Sequence, residues 1–373
     1  MRKFLLTIIL LAILFFMYPR IQEKVKEADP ESFIGTIQTE MEESNIPETL
    51  YKFFTNLQFW TSELKGTLNE QVDESRFQNI KKPQLLKPVE QTFSVYNIQI
   101  GDSLDEVEAV LGSPKRVGLN EYEVHWRTYH ESYQNFVMVA FDSKENVVAL
   151  YTNQDLIASS VGITLNTLKD QVRAEFGEPL EGIKKGWTIY QTQNNGEYDL
   201  YEMNGNYVTI FYDKHENNTV TAIQIIDKDL ELKKDGIYGV GSSELAEAFA
   251  YQLFDVTNAT RVNHGLTILE WDDMVKETAV DHSRDMAENN FFGHTNLAGQ
   301  SPFDRMDEDG IDYRMAGENL AAGQTSSIFA HEGLMNSEGH RKNILQPDFR
   351  LLGVGVAFSE DDQPYFTENF YTR

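Results

Sequence analysis

The chain has eight histidines and no cysteine among its 373 residues, so any chemistry it performs rests on imidazoles, carboxylates and hydroxyls. Thiolate metal sites, thiol nucleophiles, disulfides and lipidation at a cysteine after an export signal are excluded. His331-Glu332 has the form of the first half of an H-E-x-x-H metalloprotease helix, in which two imidazoles four residues apart share one face and one zinc ion. Four residues beyond His331 stands Met335, and the next histidine, His340, follows a glycine, so the zincin pattern fails. Ser337 lies near His340, but no G-x-S-x-G elbow surrounds it, and a serine before a turn reads as a local cap. His125, His130 and His215 fall in or beside strand-like segments without partners at ligand spacing. His282 continues an apolar helix face and His264 precedes a glycine at a helix end, so these five read as packing or surface residues.

The elements that must position any site begin with an N-terminal Met1-Arg2-Lys3 and an apolar run from Phe4 to Tyr18. A positive stretch followed by a hydrophobic one is the pattern of an export signal. The flank Phe16-Met17-Tyr18-Pro19-Arg20 offers no small-x-small cleavage site. Residues 1–19 are therefore expected to form an uncleaved signal-anchor helix, with a cleaved signal peptide as the alternative. Residues 20–91 are polar, with one helical stripe of Leu50, Phe53, Phe54, Leu57, Trp60 and Leu64 that reads as a packing face.

Residues 92–230 contain an internal repeat. The first copy reads Gly101-Asp102-Ser103-Leu104, Val107 and Leu111-Gly112-Ser113-Pro114; the second reads Gly162-Ile163-Thr164-Leu165, Leu168 and Phe176-Gly177-Glu178-Pro179. Each copy predicts a helix that starts at Ser103 or Thr164 and stops at a glycine followed by a proline, with Glu106 completing a capping box in the first. The second copy is four residues longer, which as one added helical turn would keep the apolar face. Alternating segments at 121–129, 136–142, 147–152, 187–193, 198–202, 207–213 and 219–226 read as strands of an antiparallel sheet. The charged, glycine-containing stretch 227–241 marks a boundary. From residue 242 the pattern turns helical, with Leu245, Ala248, Phe249, Leu253 and Val256 on one face and Val275, Ala279, His282 and Met286 on that of a second helix. Strands at 353–358 and 365–370 follow, so the fold class is α+β.

With 59 acidic against 32 basic residues and a formal charge of −27, both halves lack the basic footprint that nucleic acid or anionic lipid requires. No nucleic-acid partner is expected.

Residues 242–373 carry a series of motifs: Arg261-Val262-Asn263-His264-Gly265-Leu266, Leu269-Glu270-Trp271-Asp272, His282-Ser283-Arg284-Asp285-Met286, Phe292-Gly293-His294-Thr295, Ala316-Gly317-Glu318-Asn319-Leu320, Asn336-Ser337-Glu338-Gly339-His340-Arg341-Lys342-Asn343-Ile344-Leu345 and Gly353-Val354-Gly355-Val356. In this order they resemble the CAP superfamily of cysteine-rich secretory proteins, antigen 5 and pathogenesis-related proteins. The repeat before them resembles the N-terminal domain that accompanies CAP domains in bacilli, and its signature is similar to the modules of β-lactamase inhibitor proteins. The resemblance implies a C-terminal αβα sandwich, here without the disulfides of the eukaryotic members. It also implies a cleft lined by two histidines and two glutamates, which by motif are His294, Glu318, Glu332 and His340.

Such a set could share a divalent ion, zinc or similar; without one, two facing carboxylates would repel and one would hold a proton. Leu334 stands where many members have tryptophan. The family is linked to lipid or sterol binding, metal binding, signalling and proteolysis, so the fold does not state a reaction. The expectation is an extracellular, membrane-anchored protein of Gram-positive type that binds a small molecule, lipid or cell-surface component in the His/Glu cleft without turnover. Two alternatives stay open: a metal-dependent hydrolase of peptide or cell-wall material with Glu318 or Glu332 as base, and a tetrad that merely ties segments together.

Overall fold

The computed structural model describes residues 80–192 and 195–373; the apolar run 4–18 and the stripe from Leu50 to Leu64 lie outside the described residues. The first copy of the repeat comprises β1 (Phe93–Val95), α1 (Leu104–Leu111), β2 (Arg116–Leu119), β3 (His125–Glu131), β4 (Gln134–Phe141) and β5 (Val147–Thr152). A short strand β6 (Ile157–Ser159), paired with β1, leads to the second copy. That copy comprises α2 (Lys169–Phe176), β7 (Gly182–Lys185), β8 (Thr188–Gln191), β9 (Tyr198–Met203), β10 (Asn206–Asp213) and β11 (Thr219–Asp227).

The repeat is present, but in a different register from the one its signatures suggest. Ser103 caps α1 and forms the expected reciprocal pair with Glu106. In the second copy the helix begins at Lys169, after Leu168 rather than Thr164. Both helices are eight residues long, so the four extra residues form a loop ahead of α2 and add no helical turn. The docking bonds make the equivalence explicit: Leu104 N donates to Glu145 O as Lys169 N does to Asn218 O, and Val147 N donates to Asp102 O as Val220 N does to Thr167 O. Gly101 therefore matches Asn166, and both adopt positive φ, +97° and +65°, a conformation asparagine tolerates better than most residues.

Seven strands form one sheet in the order β2-β3-β4-β5-β11-β10-β9, the copies meeting where β5 pairs antiparallel with β11. Its strands are apolar on both faces. Val137, Val139, Leu150, Val208, Ile210, Ile223 and Ile225 pack under α1 and α2 around Val107 and Val172. Alternate residues, Phe136, Met138, Tyr151, Phe211 and Ala222 among them, belong to a second cluster that continues into the C-terminal half. Left open, that face would be an apolar patch; covering it contributes about 1.5–3 kcal/mol per large side chain.

The stretch 227–241 is itself built. Asp227 caps the short helix α3 (Lys228–Lys233), and Glu231 within it is buried. The chain continues through α4 (Ser243–Asn263), β12 (Glu270–Trp271), α5 (Asp273–Asn289), α6 (Pro302–Glu308), β13 (Met315–Ala322), α7 (Ser327–Met335), α8 (Glu338–Ile344), β14 (Leu351–Phe358) and β15 (Pro364–Thr372). Ser242 and Asp272 cap α4 and α5 with their side chains. The second sheet runs β12-β14-β15-β13. On β14, Leu352, Val354 and Val356 join the cluster of α4, while Gly353 and Gly355 face α5, which gives the αβα sandwich.

The helix α4 is buried on both sides because it serves both sheets. Phe249 stacks on Phe366 of β15, with ring centroids 5.9 Å apart, and Thr257 reaches Glu368. On the opposite side Gln252 Nε2 donates to Leu119 O, and Asp255, 1% exposed, is held by Arg116 Nε at 2.9 Å and Tyr133 OH at 3.1 Å. From residue 80 onward the chain is thus one compact unit, layered α/β/α/β/α.

The glycines of β14 let α5 approach. A Cβ on Gly355 would lie 2.1 Å from the Ala279 carbonyl carbon, backbone that cannot turn aside. Gly355→Ala is expected to lower stability by about 3 kcal/mol in equilibrium urea unfolding. Gly339→Ala, on an exposed turn of α8 with nothing within 4 Å, should leave stability unchanged or raise it by up to about 1 kcal/mol.

Candidate functional site

His294 lies in the loop that leaves α5 through Asn290, a residue with positive φ. Arg305, from α6, donates to the His294 carbonyl at 2.8 Å and to the Gln300 carbonyl at 3.2 Å, which fixes the loop. Its guanidinium also donates to Glu318 Oε2 at 2.6 Å, while Glu318 Oε1 meets His294 Nδ1 at 2.9 Å. The Glu318 side chain is 2% exposed and that of His294 54%. An acceptor-only carboxylate places the proton on Nδ1 and leaves the Nε2 lone pair on the open side of the ring.

His340, the third expected residue, is on α8, where burial and, after it, the nearness of His294 hold its pKa below the usual value. Asn319, next to Glu318 on β13, donates to the His340 carbonyl at 3.2 Å. Asn343 Nδ2 donates to both the Glu318 carbonyl and Asn319 Oδ1. His294, Glu318 and His340 therefore gather at one edge of the second sheet, where β13 meets the start of α8.

Glu332 is placed elsewhere. It is fully buried, its Oε1 accepts from Tyr151 OH of β5 at 2.9 Å, and burial pushes its pKa up to about 7. Successive residues of a helix diverge by about 100°, and the preceding His331 lodges instead against α4. Its Nε2 is 2.7 Å from Thr260 Oγ1 and its Nδ1 3.3 Å from Thr257 Oγ1. Burial pulls His331 down to about 3, so it is neutral.

This geometry tests the divalent ion. Both Glu318 oxygens are engaged by Arg305 and His294, and Glu332 is bonded to Tyr151, so two imidazoles remain. Zinc sites use three or four protein ligands, and among the described residues no three His, Asp or Glu side chains are grouped to hold a metal. The donor set does not fit a zinc-type ion. Among the described residues the side-chain bonds of the array join His294 to Glu318 and Glu318 to Arg305.

Sequence reasoning missed Arg305, Asn319 and Glu368. Glu368, on the central strand β15, is fully buried and accepts from Thr257 Oγ1 and Asn319 Nδ2, each at 3.0 Å. Burial raises its pKa to about 7. When Glu368 is ionised and accepts from Thr257, His331 Nδ1–H donates to Thr257 and Nε2 accepts from Thr260. Asn319 was legible within the G-E-N-L motif; Arg305, in S-P-F-D-R, belongs to no motif. His282, read as a packing residue, is buried with Nε2 3.0 Å from the Gly293 carbonyl. Ser337 occupies the N-cap position of α8, but its side chain makes no capping hydrogen bond.

Two family models match the chain: "CAP-associated N-terminal" over residues 100–236 and "Cysteine-rich secretory protein family" over residues 254–370. The "uncharacterized membrane protein YlbC" of Bacillus subtilis (strain 168) is 30% identical over 292 residues, 74% of this chain and 82% of that protein. The "uncharacterized protein YkwD" of the same strain is 44% identical over 112 residues, 30% of this chain and 44% of its own. An extracellular protein containing a SCP domain from Bacillus anthracis str. Ames superposes with a TM-score of 0.64 at 26% identity, covering 79% of this chain and 99% of that one. A cysteine-rich secretory protein from Staphylococcus aureus subsp. aureus Mu50 shares the fold, with a TM-score of 0.59 at 14% identity over 77% of this chain and 95% of the other.

The buried carboxylates make stability pH-dependent. A glutamate whose folded pKa is raised binds its proton more tightly folded than unfolded, so it contributes stability below the ordinary carboxylate pKa that is lost as pH rises through about 7. His331, pulled down to about 3, acts in the opposite sense over much of the same range, so the test is a difference: between about pH 4.5 and 7 the stability of Glu368→Gln, from urea unfolding, should gain on that of the parent chain by up to about 1.4 kcal/mol per pH unit.

Proposed function

The chain belongs to the cysteine-rich secretory protein family, in the form that carries a CAP-associated N-terminal domain, and from that premise we propose that it is an extracellular binding protein without turnover. The observation that carries the reading is the Arg305–Glu318–His294 array. A buried carboxylate, saturated by a guanidinium on one oxygen, orients a half-exposed imidazole beside a second one. Such an arrangement presents a fixed acceptor to a hydroxyl or ammonium group. It supplies no nucleophile and no zinc-type donor set.

The ligand is a small molecule, lipid or other cell-surface component met outside the membrane. The positive start and apolar run at residues 1–18, a relative named as a membrane protein and a neighbour named as extracellular support a placement at the outer face of the membrane. The acidic surface favours neutral or cationic partners over nucleic acid.

The test uses the full chain and fragments of the envelope of the cell that produces it. His294→Ala/His340→Ala should lower retention on the fragments at least about tenfold with an unchanged melting curve, and neither protein should release soluble fragments. Release by the parent chain that is lost in the double variant would establish a hydrolase instead, and equal retention would remove the site from the binding surface.

A further inference from the structure

The second face of the seven-stranded sheet is covered by α4 and α7 over β3, β4 and β5, but not completely over β9, β10 and β11. There the two halves diverge around a cavity of about 800 Å³, inside the range of about 300–1,000 Å³ typical of small-molecule sites, which favour such junctions. The sheet supplies Tyr207, Thr209, Phe211 and Gln224. The hairpin β7–β8 forms another wall through Lys185 and Tyr190, and it pairs only with itself. The C-terminal half closes the space with Gln324, Phe329 and Glu332. This cavity is separate from the His294 array: of the four residues the motifs single out, only Glu332 borders it.

Three properties of the wall define what it can hold. It is aromatic: Phe329 meets Phe211 and Tyr198 edge to face, with centroids 5.1 and 5.2 Å apart, and Tyr190 and Tyr122 also line it. Its charged groups already have partners: Glu231 is bound by Lys185 at 2.7 Å and by Tyr122 OH at 2.6 Å, with Lys234 at 3.9 Å, Glu197 pairs with Lys214 at 2.8 Å, and Glu332 is held by Tyr151. It also carries unpaired amide atoms. Gln224 is 2% exposed with its Nε2 unbonded, and Gln324 Oε1 is buried and unbonded. A buried amide group without a partner costs about 1–3 kcal/mol, which a ligand that pairs it recovers.

Aromatic faces suit the axial C–H face of a pyranose ring, matched charges suit a neutral ligand, and one free donor with one free acceptor suit the C=O and N–H of an acetamido group. An extended peptide would seek an open strand edge, yet the Leu200 carbonyl of the edge strand β9 is already taken by Leu180 N. We propose that the cavity between the repeat sheet and α7 is a second ligand site, for a neutral N-acetylated saccharide. Gln224 would donate to the acetamido oxygen and Gln324 accept from its N–H, with the sugar ring against Tyr190 and Phe329.

The test is calorimetric titration of the full chain with N,N′,N″,N‴-tetraacetylchitotetraose, cellotetraose and tetra-alanine. The chito-oligosaccharide should bind, with cellotetraose at least about tenfold weaker and tetra-alanine undetectable. Tyr190→Ala, on the partly exposed hairpin, and Gln324→Ala should each weaken chito-oligosaccharide binding at least about tenfold. Met274→Ala, exposed on α5 in the far layer, should not change it. Circular dichroism melts confirm that each variant folds; if Tyr190→Ala does not, Gln324→Ala decides. No binding of the chito-oligosaccharide, equal binding by the folded variants, or tighter binding of tetra-alanine would overturn the proposal, and equal affinity for cellotetraose would overturn the acetamido assignment.

Discussion

One helix has to satisfy two sheets, and the rest of the structure follows from that. On its repeat side α4 holds Gln252 and Asp255, and on its other side Phe249 and Thr257. A buried carboxylate such as Asp255 is tolerable only with partners, and its partners, Arg116 and Tyr133, come from the repeat sheet. The sheet in turn exposes Phe136, Met138 and Tyr151 unless α4 and α7 cover them. Each half therefore leaves the other with an unmet need, apolar on one side and ionic on the other. The N-S-E-G-H-R segment adds to the junction: Asn336 donates to the Tyr212 carbonyl and Arg341 pairs with Asp213 at 2.7 Å. A motif that looks local to one domain thus fastens it to the other while presenting His340 to the site.

The same constraint explains where the expected tetrad divides. Helix α7 lies in the shared layer, so its buried residues cannot all face the sheet that bears Glu318. His331 is directed at α4, and Glu332, the next residue along, is directed at Tyr151 across the junction. A motif-based assignment treats a family position as a fixed direction, whereas direction depends on what the helix packs against. Glu318 is different, because its position on β13 is fixed by pairing, with Glu318 opposite Asn369 and Asn319 opposite Glu368. Strand register leaves no freedom of that kind, and the Arg305–Glu318–His294 array assembles at the edge the G-E-N-L motif indicates.

Much of the fold was legible in the residues. The capping pair Ser103 and Glu106, the glycine stops at 112 and 177, and the apolar faces of α4 and α5 all follow from local rules and are all found. What local rules could not show was relational. Gly162-Ile163-Thr164-Leu165 looks like Gly101-Asp102-Ser103-Leu104, but the repeat is defined by docking onto the β10–β11 turn, and the bonds of Asn166, Thr167 and Lys169 set that register. The double-sided apolarity of β4, buried throughout from Phe136 to Phe141, could have signalled a sheet covered on both faces. The stretch 227–241 reads as a boundary because its charges are visible in sequence and their partners, Tyr122 and Lys185 for Glu231, are more than forty residues away.

The polar groups of the shared layer form a continuous chain. Asn153 of the repeat half donates to Thr260, Thr260 to His331, His331 to Thr257 and Thr257 to Glu368, which also accepts from Asn319 beside the site residue Glu318. With Glu368 ionised and His331 held neutral by burial, the one proton His331 carries sets the order of donors; below about pH 7 Glu368 takes a proton and can donate to Thr257 in its turn. In either state each member of the chain keeps a partner, where an unpaired buried group would cost about 1–3 kcal/mol. It runs from the end of β5 to β13, across α4. The position of Glu318 and His294 relative to the repeat half is therefore set by specific hydrogen bonds as well as by apolar contact, which alone would permit sliding. The His294 array, built on one αβα sandwich, is thus braced from outside, by a module whose sheet cannot stand uncovered.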